Sequence, residues 1–370
     1  MPARKLLFIS NGHGEDAIAA EIVRRLPAEL EAAAYPMLGD GSAYTGLCDI
    51  VGPRARLPSE GWRNVRGSVA ADIRGGRIGA VWDGMRFLRD ARTRYDRAVV
   101  VGDMFGVYAA WLAGHRGIAY LDVYKTGFGG PYLWFDKRLL RATAKTVFCR
   151  SQSLADALVI AGVDARFAGN LMLDTIPRRS LRLERSRPLA LTILPGSRRH
   201  ALDNFRLQVE ALGALPAALM PDLFLAVASA IGAQPLAEAS GLALVPGAGL
   251  GRLIGRGLDI ALVPGDAMGD ALDQSDLVLS QAGTATVQAI GLGRPAITFQ
   301  NADDRASRFA DENRLFGDAR QVVRADATAI AAKLAALLSD PAERDRLADI
   351  GRVRVGPPGA LAAIIEELRQ

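Results

Sequence analysis

Residues 189–200 read Leu-Ala-Leu-Thr-Ile-Leu-Pro-Gly-Ser-Arg-Arg-His. A strand-length apolar run passes through Pro195 and Gly196 into a polar stretch with no acid before Asp203. Parallel strands hand the chain to a helix in this way, and here the pattern restarts in mid-chain. Beyond it, short apolar runs recur at 223–228, 259–263, 277–280 and 296–299. Helical patterns fall between and after them, clearest over 327–338, with Asp326 as N-cap, and over 359–368. Before it lies 177–188, an arginine-rich and weakly apolar segment that reads as a linker. Earlier still, strands are predicted at 6–10, 98–102, 117–121 and 146–149, and helices at 15–26, 105–113 and 153–161. Strand–helix alternation is the signature of βαβ units. The expected fold is α/β, two doubly wound Rossmann-like domains facing a cleft, with ligands at the carboxyl ends of the strands. The expected divisions are 1–176, the linker 177–188, 189–352 and a last helical segment 353–370.

Composition bounds the function. A chain of 370 residues, half of them hydrophobic, can bury two cores and is not disordered. The most apolar stretch, 98–114, is broken by Asp103 and three glycines, so no membrane-spanning helix is expected. The N-terminus runs directly into a strand without a signal-peptide pattern, which predicts a cytoplasmic location. Cys48 and Cys149 are isolated and read as reduced thiols, and three histidines do not make a multi-His zinc site. A net charge of +5 gives a mild preference for anionic partners, but no nucleic-acid module is recognisable and no nucleic acid is expected as a partner.

Three loops carry candidate chemistry, each a strand running through glycine into a helix. The first is Ser10-Asn11-Gly12-His13-Gly14-Glu15-Asp16. Glu15 and Asp16 occupy the helix start and answer its dipole themselves, so a phosphate is disfavoured there. Asn11, Gly12 and Gly14 suit a neutral acceptor hydroxyl, with His13 near enough to take its proton; a structural turn capped by an acid pair explains the same residues. The second is the 194–200 loop, where Ser197, the guanidinium of Arg198 and free amides form a receptor for a diphosphate. The third is Ser280-Gln281-Ala282-Gly283-Thr284-Ala285-Thr286-Val287-Gln288. Its acid-free helix start again favours phosphate, and Gln288, about one turn on, is placed for a ribose or sugar hydroxyl. Asp103, ending the strand at 98–102, reads equally as a functional carboxylate or as the N-cap of the following helix. The P-loop and dinucleotide fingerprints are absent.

The segments LPGSRR (194–199) and GTATVQAIGLGRP (283–295) resemble the nucleotide half of lipid-A-disaccharide synthase. FAGNLMLD (167–174) resembles the same family, and ISNGHGED (9–16) looks like a related branch of lipid-A-disaccharide-synthase-like proteins. The resemblance implies a glycosyltransferase B fold, with the acceptor in the first domain, a UDP-sugar in the second and a final helix crossing back. It implies sugar transfer with inversion, without metal or cofactor, at the inner membrane surface and onto a lipid or glycolipid acceptor. By position, Ser197, Arg198, Gly283, Thr284 and Thr286 would contact the diphosphate. Gln288 stands where relatives carry a ribose-binding glutamate, which keeps hydrogen bonding and drops a charge.

An inverting transfer needs a base for the acceptor hydroxyl, and His13 and Asp103 are the candidates. Two other readings keep the nucleotide site: a UDP-sugar epimerase, drawing on acids such as those at 303–304 and 311–312, or a non-catalytic binding protein. Ile78, Val81, Trp82, Met85 and Leu88 form a helical stripe with Arg77, Arg86, Arg89 and Arg92 around it. The stripe fits either an anionic bilayer or the protein core.

Overall fold

Strand runs such as Leu6-Leu7-Phe8-Ile9 are apolar at successive positions, so both faces of the strand must be covered. The computed structural model meets that requirement: all four side chains are fully buried, as are all six residues of Arg97–Gly102. The structure describes residues 3–54, 78–127, 131–196, 200–228, 230–247, 249–302, 304 and 306–370. The chain forms two compact units. The first comprises Met1–Thr175, Asp303–Glu312 and Pro358–Gln370, and the second Ile176–Ala302 and Asn313–Pro357.

In the first unit the strands are β1 (Arg4–Ser10), β2 (Leu30–Pro36), β3 (Asp49–Ile50), β4 (Arg97–Gly102), β5 (Ile118–Asp122), β6 (Ala144–Phe148) and β7 (Ala165–Arg166). They lie in the order β3-β2-β1-β4-β5-β6-β7, and every pairing is parallel. The second unit holds β8 (Ala190–Leu194), β9 (Asp222–Val227), β10 (Ala243–Val245), β11 (Arg252–Gly255), β12 (Leu258–Pro264), β13 (Leu277–Ser280), β14 (Ala296–Phe299) and β15 (Arg320–Val323). Their order is β10-β11-β12-β9-β8-β13-β14-β15, parallel except for the edge hairpin made by β10 and β11 against β12. Both sheets are therefore doubly wound, as expected. The chain starts at an inner strand, builds outward to one side, then returns to build on the other. β2 escaped sequence reading because Leu-Glu-Ala-Ala-Ala-Tyr-Pro lacks the β-branched residues that mark a strand. The short strands β3, β7, β10, β11 and β15 escaped because two to four residues carry too little periodicity.

Two expectations are refined. Segment 177–188 is bound along the second unit: Arg178 Nε pairs with Asp273 at 2.6 Å, and the amides of Ser186 and Arg187 each donate to Asp222 at 2.8 Å. The helix Ile78–Ala91 turns its stripe inward where it can be described. Leu88 is buried and Met85 packs on the core, leaving Trp82 exposed. Arg77 and the side chains of Ile78 and Val81 lie outside the described residues. No described helix is long and apolar enough to cross a membrane.

The last helix, Ala360–Arg369, belongs to the first unit. Asp174 receives its start through the amides of Gly359 (2.8 Å) and Leu361 (3.1 Å). Near its end, Glu367 takes Arg97 Nη2 at 2.9 Å and Arg166 Nη2 at 2.8 Å, with Lys145 Nζ at 3.6 Å. Arg97 Nη1 also donates to the Glu367 carbonyl. Burial pushes the Glu367 carboxyl up, but the bonds from Arg97 outweigh it and hold the group below its ordinary value. A lowered value means that the stability Glu367 contributes is present at neutral pH and lost in acid. Arg97 and Glu367 are both 4% exposed, so removing one partner strands a buried charge. Glu367→Ala should lower unfolding free energy by about 3–5 kcal/mol, read from denaturant midpoints; a loss within experimental error would show that this helix is not anchored by the pair.

Candidate functional site

In a doubly wound sheet the crossovers leave opposite faces on either side of the first strand, so the loops there part and leave a crevice. In the first unit that point lies between β1 and β4, with Ser10 level with Val101. The two loops following these strands carry His13 and Asp103. Asn11 Nδ2 donates to Asp103 Oδ1 at 2.5 Å and ties them together. Asp103 is also the N-cap of helix Met104–Leu112, accepting the Phe105 amide at 2.8 Å. The capping role is thus realised, at the carboxyl end of a strand. Gly102 (φ 142°) admits no side chain, because a Cβ would strike Asn11 Oδ1. At Gly12 a Cβ would run into the Glu15 carboxylate, which folds back over the loop. Gly14 is the second residue of helix His13–Val23.

His13 opens that helix and is exposed. Its ring lies over Gly39 (φ 81°), where a Cβ would sit 3.0 Å from Cε1. Asp40 is held below the usual carboxylate range, first by the Ser42 amide and in part by His13. Glu15 and Asp16 both stand in the first turn of this helix, and Asp16 is buried. It does not face solvent beside Glu15 but turns inward, accepting Ser10 Oγ at 2.5 Å, and Ser10 in turn bonds the Tyr44 hydroxyl at 2.7 Å. Burial, with Glu15 and Asp40 adding repulsion, pushes its carboxyl up to about 7.

In the second unit the crevice lies between β8 and β13, where Leu194 is level with Ser280. The Gln281 amide donates to the Leu194 carbonyl at 2.7 Å, so the two phosphate-type loops leave the sheet side by side. Gly196 (φ 96°) lets the first loop pass the Gln281 carbonyl, which a Cβ would meet at 3.3 Å. Ser197, Arg198 and Arg199 lie outside the described residues. Past them, helix Ala201–Gly213 starts at His200 with no side-chain cap, and Asn204 Nδ2 donates to the Pro195 carbonyl at 3.0 Å. Helix Thr284–Gly291 also starts without a side-chain cap, from Gly283, and has no acid in its first turn. Among the described residues a Cβ at Gly283 would meet nothing within 4 Å, so the space over this turn is open to them. Thr284 is half-buried beside it. Thr286 is buried, bonded to Ser280 Oγ at 2.6 Å and donating to the Ala282 carbonyl, which commits its hydroxyl to holding the turn. Gln288 is buried one turn further along.

Sequence reading missed Asp122, at the carboxyl end of β5 next to β4. It is buried and accepts the amides of Tyr124 and Lys125, each at 2.9 Å, together with the Tyr132 hydroxyl. Burial pushes its carboxyl up. An acid closing an apolar run, the signal that marked Asp103, was also present at 118–122.

The Asp16 geometry sets a pH dependence. A buried carboxyl with a raised value keeps its proton when the unfolded chain has lost its own. Stability from this group is complete below about pH 4 and declines as pH rises toward 7. Asp16→Asn can still accept from Ser10 but does not ionise. Relative to wild type, the variant should gain on the order of 4 kcal/mol between acid and mildly alkaline pH. Denaturant unfolding of both proteins across that range measures it, and a constant difference would mean that Asp16 does not titrate with folding.

No protein-family model and no curated protein sequence matches this chain. Solved structures do match over its whole length. The UDP-GlcNAc 2-epimerase of Neisseria meningitidis, bound to UDP-GlcNAc, aligns with a TM-score of 0.58 at 12% identity over 98% of this chain and 99% of its own. A UDP-glucosyltransferase of Polygonum tinctorium capable of glucosylating indoxyl reaches 0.61 at 14% identity, over 100% and 98%. The glycosyltransferase SnogD of Streptomyces nogalater reaches 0.55 at 15%, over 99% of each chain. At such identities the likeness is one of fold, and this chain has the two-sheet glycosyltransferase B fold.

Proposed function

We propose that this protein is an inverting, metal-independent glycosyltransferase that moves a sugar from a UDP-sugar to a lipid acceptor, in the cytoplasm at the inner face of the membrane. The observation that carries the reading is the pair of uncapped helix starts leaving the adjacent strands β8 and β13, the second opening on unfilled space at Gly283. Aligned backbone amides there favour a diphosphate. In this reading the second unit binds the donor, with Ser197, Arg198, Gly283 and Thr284 on the diphosphate and Gln288 on the ribose or sugar. Thr286 serves by holding the turn. The first unit binds the acceptor on the loop of Asn11, Gly12 and Gly14. The finer likeness to lipid-A-disaccharide synthases rests on the motifs at 167–174, 194–199 and 283–295.

The acceptor oxygen bonds to the anomeric carbon as the bond from that carbon to the diphosphate oxygen breaks. The acceptor proton passes to His13, or to Asp103, and the departing charge is met by Arg198 and the helix amides. His13 is favoured as base, because it is exposed whereas Asp103 already caps a helix and receives Asn11. A histidine is also suited to accept a proton near neutral pH.

An epimerase is the second reading. The likeness to UDP-GlcNAc 2-epimerases favours it, as does Asp122, which adds a second acid to Asp103 at the strand ends of the first unit. Incubation with a UDP-sugar separates the two, since transfer liberates UDP and epimerisation returns an altered donor.

Two variant sets test the assignment. Arg198→Ala should weaken UDP binding by about 1.5–3 kcal/mol, the worth of a hydrogen bond to a charged group. Gly283→Ala should also weaken it while leaving the unfolding midpoint nearly unchanged, because the added methyl meets no atom of the described residues. Unchanged UDP affinity in both variants, by calorimetry, would remove the site. His13→Ala should cost about 100- to 10,000-fold in turnover with UDP affinity retained; near wild-type turnover in His13→Ala and in Asp103→Asn alike would place the base elsewhere.

A further inference from the structure

A polar chain in water covers its large apolar side chains, and one surface of the first unit does not. Helix Met104–Leu112 contains no charged residue, and it leaves Phe105, Trp111 and Leu112 exposed. The start of helix Trp134–Thr143 leaves Leu133, Trp134 and Phe135 exposed, with Trp134 77% accessible. The two sets join, because the Phe135 ring lies 6.4 Å from that of Tyr108 and 5.9 Å from that of Trp134. An exposed apolar surface of this kind marks an interaction site.

Apart from Asp103, which caps the first helix at Phe105, its exposed charges are basic. The only acid on the two helices, Asp136, is buried, accepting the Tyr108 hydroxyl at 2.6 Å and the Leu133 amide at 3.0 Å. Lys137, Arg138 and Arg141 follow Trp134 at spacings of three, four and seven, so they continue along the same helix face. Lys125 sits nearby, over the Tyr132 ring at 5.0 Å and with Nζ 3.9 Å from Asp136 Oδ2, so it is matched by that acid.

We propose that this surface rests on an anionic lipid bilayer, with Trp134 and its apolar neighbours at the level of the headgroups and the cations against the lipid phosphates. Aromatic residues with amphipathic rings favour that depth, and each basic residue near an anionic surface adds attraction. A second copy of the chain fits poorly, since a symmetric pairing would set Lys137, Arg138 and Arg141 against their own kind. Trp82 is exposed as well, but it stands on a helix whose stripe is turned into the core. The inference rests on the lipid-acceptor part of the reading above; it is tested by binding rather than turnover, so either can fail without the other.

The test is co-flotation of the full chain with vesicles of phosphatidylcholine alone or mixed equally with phosphatidylglycerol. Wild type should float with the mixed vesicles only, and less so at high salt. Trp134→Ala, and separately Lys137→Glu with Arg138→Glu, should each reduce the bound fraction about tenfold, while Trp82→Ala leaves it unchanged. All four side chains changed are exposed or half-buried, so the folded state should persist, and thermal midpoints check it. The charge-reversal pair keeps the test decisive if Trp134→Ala alters folding. Absence of wild-type binding to anionic vesicles, or binding indifferent to both changes, overturns the proposal. So does a change in oligomeric mass in Trp134→Ala without any vesicle binding, which would make the surface a contact between copies.

Discussion

A parallel strand has to be re-entered from the same end as its neighbour, and the helix that carries the chain back can cover only one face of the sheet. Covering both faces therefore requires the winding to reverse once, and at the reversal two neighbouring loops diverge. The rest of this molecule depends on that constraint. β1 and β4 in the first unit, and β8 and β13 in the second, are the reversing pairs, and the loops after these strands contain the glycines that a close approach demands. At Gly102 and Gly196 the chain takes up positive φ while passing within contact of the neighbouring loop. The Asn11–Asp103 hydrogen bond and the Gln281–Leu194 backbone bond bind each pair of loops together at its base.

One topology used twice leads to opposite electrostatics. The crevice of the first unit is rich in oxygen: Asp103 caps a helix, Asp16 and Asp122 are buried with raised carboxyl values, and Asp40 lies beside His13. Burial disfavours the charged form of Asp16 and Asp122, and a crevice so rich in carboxyl oxygen is inhospitable to a phosphate. In the crevice of the second unit neither helix start has a side-chain cap, Asp203 is the one acid in either first turn, and the second turn is tightened from beneath by Ser280 and Thr286. The backbone N–H groups at these helix starts do not titrate.

Polar groups also decide how the last helix is held. Glu367 receives two guanidinium groups and stands close to an ammonium, from three different strands of the first sheet. Burying it alone would be prohibitive, whereas with Arg97 equally buried the carboxylate stays ionised. Such a contact selects one position for the helix, because a shift of one residue would leave charges on both sides unpaired.

Much of this was legible in the chain order of residues. Long runs of successive apolar residues, each ending in glycine or an acid and followed by a helical pattern, required parallel strands covered on both faces, and so the doubly wound class could be read directly. Asp326 as an N-cap followed from the same local rules, since capping involves residues three apart. What could not be read depended on partners distant in sequence. Whether Asp16 faces water or Ser10 and Tyr44, whether Thr286 offers its hydroxyl or spends it on the turn, and which side of the 78–91 helix meets the core are settled by packing against other elements. Asp122 gained its bond from Tyr132 only through a loop, and Glu367 found Arg97 across 270 residues of chain. Local periodicity specifies which face of an element is apolar, but burial and protonation are properties of what is brought against it, and only the folded sheet brings those groups together.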